Sequence, residues 1–493
     1  MKKIILLLAI VLGITSCDSY LDINTDPNSP NGDFVTSEMI LPAAEMNLAA
    51  SYGDFLRIVG GYYAQHYAHN FGTSNYVDYS QFKMSATRSS GTYTQLYNRT
   101  LKNLEIIREK SAASEEWGTY LAATSLRVFT FQVLVDAYGE IPYTESLNVA
   151  NLAPKYDDGL TVYNGILAEL DNALSKASPA DLVAKNFLFG TANAVEWVKF
   201  ANALKLKLLM RISKVQNVQT QLAALIAENN FPAEDVSWDD CWADEAGKAS
   251  PYYQEEYATY FGSTQINVVA NIALMQTMLE SNDARIDTYF VKNESGEFKG
   301  GVSGTNFSTS QLYKSPYFCR PVFKYDMPVY LITVSEVEFF LAEYQARYGT
   351  AAAAENHYKA AIDASFNTMG VTGAAPIYDT YYKWNNAEYE KLIGIQKWIA
   401  LGGVNNFEAW AEMRRLKYPA FGTVKGSEIY SISTDIFTPS LYVPGTLYTP
   451  IQVNSELGET KLLQRMKYAE SSTSRNSNAP ASKSDAIPVF WAE

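Results

Sequence analysis

"EVEFFLAEYQARYGTAAAAENHYKAAIDASF", residues 336–366, reads as two helices joined at Gly349. Apolar and small residues recur at steps of three and four on both sides of that glycine. Leu341 and Ala342 occupy the packing slots of a tetratricopeptide first helix, and Ala354, Tyr358 and Ala361 give the A-x3-Y-x2-A spacing of the second. Alanine at these steps lets two helices approach closely. The Trp and the closing Pro of the repeat consensus are absent, so a plain helical hairpin is the competing reading.

Working outward, the same periodicity predicts helices over about 92–112, 116–138, 160–177, 192–214 and 218–228, then 265–280, 386–401 and 405–417. Residues 37–69 also step helically throughout. Strand–helix–strand alternation is missing, so the fold class is all-α, with short strands expected near 285–300 and 320–332. Three long loops interrupt the helices: a Tyr-rich one at 71–82, then 229–263 and 293–325. The tail, 418–493, is rich in Pro, Ser and Thr and reads as mostly irregular. Loops of this length in a compact chain are usually functional.

The chain begins "MKKIILLLAIVLGITSCDSYLDINTDPNSPNGD". Lys2 and Lys3 precede an apolar run from Ile4 to Ile14, which suits a signal peptide and is too short for the ~20 residues of a spanning helix. "ITSC" ending at Cys17 resembles a bacterial lipobox, whose cysteine is acylated and becomes the first mature residue. The expected organisation is therefore a signal peptide at 1–16, a lipid-anchored tether at 17–33 and a single domain at 34–493. Asp22, Asn24 and Asp26 echo the start of a calcium loop, but Pro27 stands where glycine is needed and Asp33 where a bidentate Glu is needed. A turn-rich tether is the better reading.

The formal net charge is −14. Removing residues 1–16, which carry two Lys and no acid, takes it to −16. A nucleic-acid partner needs a basic face, so none is expected. No later run is apolar enough to span a bilayer, which leaves the lipid as the membrane contact. Cys241 and Cys319 do not form a zinc pattern, and the sequence leaves open whether they are joined.

Catalytic signatures are sparse. His66 and His69 lie three apart without the H-E-x-x-H pattern. A phosphate-binding glycine loop and a nucleophile elbow are both absent. Asp239, Asp240, Asp244 and Glu245 cluster between two Trp, which keeps an exported glycosidase as a competing reading. No cofactor and no metal are expected. Tyrosine is the unusual count, at 35, with 23 Phe and 8 Trp. Tyr offers a flat apolar face and a polar tip at low entropic cost, which suits polar ligands.

Several segments together resemble one family, the SusD/RagB nutrient-binding outer-membrane lipoproteins. "YLDINTDPN" (20–28) looks like the start of its SusD-like subgroup. "VDAYGEIPYTESL" (135–147) is similar to the segment after its second long helix, with Tyr138 where many relatives carry Trp. "LITVSEVEFFLAEYQARYG" (331–349), "YEKLIGIQKWIALGGVNNFEAWAEMRRLKYP" (389–419) and "RMKYAESSTSRN" (465–476) match in the family's order. The resemblance implies four tetratricopeptide-like pairs with a loop-rich second half. It implies a surface-exposed, non-enzymatic lipoprotein of the outer membrane that lids a SusC-like TonB-dependent barrel and passes it oligosaccharide, or alternatively peptide. Gln396, Lys397, Trp398, Arg414 and Arg415 are expected to be scaffold.

The ligand face does not transfer by motif, so it is read from chemistry. Sugars offer C–H faces to aromatic rings and hydroxyls to Asn, Asp and Arg. The candidates are Phe71, Asn75, Tyr76, Asp78 and Tyr79 in the first loop, and Trp238, Trp242, Tyr252, Tyr253, Tyr313, Tyr317 and Arg320 in the other two. Cys17 is the expected lipid anchor.

Overall fold

The structure is a computed structural model that describes residues 35–260, 266–305, 317–458 and 462–493. The lipobox, Cys17, the tether and Tyr313 lie outside the described residues.

The hairpin read first is present as α9 (Val334–Tyr348) and α10 (Ala351–Thr368). Each helix has a sequence-encoded start. Thr333 accepts the Glu336 amide at 3.1 Å while the Glu336 carboxylate accepts the Thr333 amide at 3.0 Å, a reciprocal capping box. Thr350 accepts the Ala353 amide at 3.2 Å and starts α10. Ala342, Ala354, Tyr358 and Ala361 are all fully buried where the two helices meet. The Ser335 hydroxyl donates across to the Ala361 carbonyl at 2.8 Å.

The longer helices before it are α1 (Ser37–Ser51), α2 (Arg57–Tyr63), α3 (Lys102–Ala113), α4 (Trp117–Tyr138), α5 (Gly159–Lys176), α6 (Val195–Ile212), α7 (Gln219–Glu228) and α8 (Ile272–Glu280). Two more follow the hairpin, α11 (Tyr389–Leu401) and α12 (Asn406–Leu416). α4 is buried along nearly its whole length and on every side, as a central helix must be, with Arg127 paired to Glu169 at 2.9 Å. It packs against α3, α5 and α6.

Later chain closes on earlier chain. α12 packs on α2, where a Cβ at Gly60 would lie 2.5 Å from the Phe407 amide nitrogen. The Trp398 indole donates to the Ala64 carbonyl at 2.7 Å. The expected scaffold residues are buried as read. Arg415 pairs with Glu343 at 2.6 Å and Glu412 at 2.7 Å, and Lys397 pairs with Glu412 at 2.8 Å. Arg211 of α6 meets Glu408 and Glu412 at 2.5 Å each. Buried charges need such partners.

Two sequence expectations need correction. Residues 37–69 are not helical throughout. A π-helical turn, Tyr52–Leu56, separates α1 from α2, and the run ends in β1 (Tyr67–His69). Likewise 265–280 opens with β3 (Val268–Ala270), which pairs antiparallel with β1, before α8 begins. Period alone does not separate a short apolar strand from buried helix. The remaining strands are short: β2 (Val236–Trp238) pairs with β6 (Val329–Ile332), and β4 (Phe290–Val291) with β5 (Arg320–Pro321). β4, β5 and β6 fall where strands were expected, whereas β2 lies in the 229–263 stretch read as a loop. The tail also carries β7 (Phe421–Lys425), which pairs with Leu447–Thr449.

Candidate functional site

Much of the predicted aromatic set converges on one run of rings. Tyr76 stacks on Tyr79 at 5.5 Å between centroids and an interplanar angle of 16°. Both touch Tyr62, which meets Tyr67 at 6.5 Å, and Tyr67 stacks on Tyr252 at 6.0 Å. Tyr252 leads through Phe323 to Tyr257 and Tyr253. The run therefore ties together all three loops singled out from the sequence. Offset stacks and edge contacts of this kind add about 0.5–1.5 kcal/mol each beyond burial.

A cavity of about 230 Å³ opens beside Tyr76 and Tyr79, lined also by Asp54, Phe55, Ile58, Asn75, Arg88 and Glu255. Its walls are built from uncommon backbone. Asp54 lies in the π-helical turn Tyr52–Leu56, and Glu255 and Glu256 lie in a second π-helical segment, Tyr253–Tyr260. Tyr76 has φ of 64°, in the left-handed region. π-turns and left-handed non-glycine residues cost energy and concentrate at functional sites.

The polar groups of this cavity are poorly partnered. Among the described residues, the side chains of Asp54, Asn75, Arg88 and Glu255 make no hydrogen bond and no ion pair, although acid and base line the same hollow. Glu256 accepts from the Tyr76 hydroxyl, which holds that ring in place. Burial pushes the Asp54 carboxyl up to about 8, helped by the charges of Glu255 and Glu256. Burial likewise lifts Glu256 to about 7, against the pull of the Tyr76 hydrogen bond. Burial raises the Tyr79 phenol to about 12. The arrangement offers the Tyr76 ring backed by Tyr79, two carboxyls, an amide and a guanidinium to one polar guest.

The other candidates fall elsewhere. Phe71, Trp238 and Tyr252 are buried to 2% exposure or less and present no face to solvent, so their reading as ligand contacts is corrected: each fills the core. Phe71 packs on Phe318 and Tyr430, and Arg57 lies over the Tyr252 ring. Asp78 is exposed next to the cavity without lining it. Trp242 is half-buried and donates to the Trp238 carbonyl at 2.8 Å. Tyr317 belongs to a second ring cluster with Phe318 and Phe437, and Lys299 lies over it. Arg320 sits on β5 opposite Val291. A larger cavity of about 500 Å³ opens nearby between Arg57, Tyr67, Tyr289 and Tyr330.

Sequence reasoning missed Asp54, Arg88, Glu255 and Glu256. Asp54 carried a usable signal, being the lone acid in the apolar stretch "SYGDFLRIVGGYY". The acids of 239–245 are all exposed, and Glu245 pairs with Lys248. His66 and His69 are buried against carbonyl oxygens, and burial lowers their pKa values to about 3 and 4. Cys241 and Cys319 are both free thiols.

Comparison with known proteins follows the same line. The sequence profile of the SusD-like family, described as "Starch-binding associating with outer membrane", matches residues 30–434. The chain belongs to the SusD-like family. A search of curated proteins finds no match. Among solved structures, a SusD homologue from Bacteroides uniformis is similar over 91% of this chain and 98% of its own, with 22% identity and a TM-score of 0.73. A chitin-binding protein matches 93% of this chain and 100% of its own at 19% identity and a TM-score of 0.72. A chitin-binding SusD homologue from Flavobacterium johnsoniae matches 91% and 98% at 19% identity and 0.68. At these identities the structures share the fold.

Proposed function

We propose that this protein captures oligosaccharide at the bacterial outer membrane and delivers it to a SusC-like TonB-dependent transporter, without catalysis of its own. In this reading residues 1–16 are a signal peptide, Cys17 carries the lipid, 17–33 are a tether, and 34–493 form one nutrient-binding domain on the cell surface. The observation that carries the reading is the cavity at Tyr76 and Tyr79, where unpaired Asp54, Asn75, Arg88 and Glu255 surround a stacked aromatic pair. An aromatic face takes the C–H side of a sugar ring, and the polar groups take its hydroxyls. At about 230 Å³ the cavity is smaller than the ~300–1,000 Å³ clefts that swallow whole ligands. It seats one residue of an oligomer and leaves the rest outside. The family's description as starch-binding and two solved relatives described as chitin-binding support a glycan.

The test is calorimetric titration of the acylated protein, purified in detergent, against panels of oligosaccharides and peptides. Binding of one saccharide class, weakened at least tenfold by Tyr76→Ala, is expected. Heat from peptides alone would replace the glycan reading with peptide capture. The transporter step is checked by co-purification with a barrel from native membranes, and its consistent absence would remove that part.

A further inference from the structure

The cavity at Tyr76 is unusual in the sign of its walls. Asp54 and Glu255 face it, and Glu256 stands behind the Tyr76 hydroxyl, so two carboxyls line the cavity and a third lies beyond its wall. The cation among the lining residues, Arg88, is exposed and pairs with none of them. Buried acids without a partner are costly, and they keep a proton when nothing better is available. Among the described residues no group of three or more metal-ligating side chains is assembled, so the geometry gives a metal ion no cage here. A neutral hydroxyl would not compensate the carboxylates. An ammonium would: it carries three donors and a full charge, and the faces of Tyr76 and Tyr79 attract cations as well.

We propose that the sugar residue seated in this cavity bears a free amino group, so that the captured glycan is an amino-sugar polymer at least partly without N-acetyl groups. Asp54 and Glu255 hold the ammonium, and the stacked tyrosines carry the ring. This rests on the glycan reading above and narrows it to a class.

The seat has a proton signature. At about pH 5.5 an amino sugar arrives already as the ammonium, and the Asp54 carboxyl holds its proton, since its pKa lies at about 8. An ammonium beside it favours the charged form, so the carboxyl releases that proton to the buffer as the ligand binds. The other groups facing it are Glu255, Glu256, Tyr76, Tyr79 and Arg88. A neutral N-acetylated sugar releases none.

The experiment titrates the acylated protein in detergent with glucosamine oligomers and N-acetylglucosamine oligomers of equal length, at about pH 5.5, where the free amine is protonated, in two buffers of different ionisation enthalpy. The expected result is at least tenfold tighter binding of the free-amine oligomer, with a heat that changes between buffers. Asp54→Asn should abolish the buffer dependence, and Glu255→Gln should narrow the preference while each variant keeps its thermal unfolding transition. The exposed-acid variant Asp240→Asn should change neither, which separates this seat from general attraction to an acidic protein. Equal affinity, or tighter binding of the acetylated oligomer, overturns the inference and leaves glycan capture standing. So does Tyr76-dependent binding of another, neutral glycan alone. Competition by oligolysine at equal affinity overturns it in favour of a peptide amine. Silence toward every saccharide removes both readings.

Discussion

Asp54 carries a proton that the unfolded chain would give up. Its carboxyl titrates near 8 in the fold against 3.8 without it, through burial first and the neighbouring glutamates second. A raised folded-state pKa means stability that is complete below about pH 4 and erodes as pH climbs toward 8. Glu256, and Glu45 at the far end of the same helical run, each lifted to about 7 by burial, act in the same window and the same direction. Asp54→Asn removes the ionisation without removing the shape. It should therefore stabilise the protein by about 1–3 kcal/mol at pH 8 and leave it unchanged at pH 4, measured by denaturant unfolding at both values.

Between elements, the decisive contacts are made by residues that contribute almost no side chain. Ala361 is fully buried between α9 and α10, and Ala361→Leu should overpack that interface and cost about 1–3 kcal/mol, read from the unfolding midpoint. Gly60→Ala should be worse, because its new Cβ would meet α12 backbone at Asn406 and Phe407, which no rotamer change relieves. The loss should appear as poor soluble yield and a lowered melting temperature. These are also the places where the sequence was most readable. The small-residue spacing of 336–366 announced its helical hairpin, and the amphipathic runs gave most other helices within a few residues. Tyr67–His69 and Val268–Ala270 were not readable, because they pair across about 200 residues and each is too short to show a period of two. The site was half legible. Asn75, Tyr76 and Tyr79 stand out as a polar aromatic loop, whereas Asp54 and Glu255 reach the cavity through π-helical turns that leave no local signature. Phe71, Trp238 and Tyr252 misled because an aromatic in a loop sequence looks the same whether it ends in the core or at the surface.

At the scale of the molecule, an ionic network joins helices that are far apart in sequence. Burial pushes the Glu412 carboxyl up, but Arg415, Lys397 and Arg211 outweigh it and hold the group well below its usual range. A lowered folded-state pKa contributes stability that is full above the unfolded value and is lost only on strong acidification. Arg415→Ala would take the closest cation from Glu343, leaving it Arg347 at 3.3 Å, and leave Glu412 to Lys397 and Arg211. It should cost about 3–5 kcal/mol in chemical denaturation, whereas changing exposed Lys248 should cost almost nothing.

The bond from the Trp398 indole to the Ala64 carbonyl links residues separated by 334 positions. Such closures cannot form until a very long loop has been brought together, and chains dominated by them fold slowly. The early helices must wait, with apolar faces uncovered, for partners that arrive last. Time, more than equilibrium stability, is then the vulnerable quantity. Trp398→Phe should lengthen refolding and increase aggregation at micromolar concentration, followed by stopped-flow fluorescence and light scattering. A folding helper that shields those waiting faces would gain more for this protein than any added contact in its finished form.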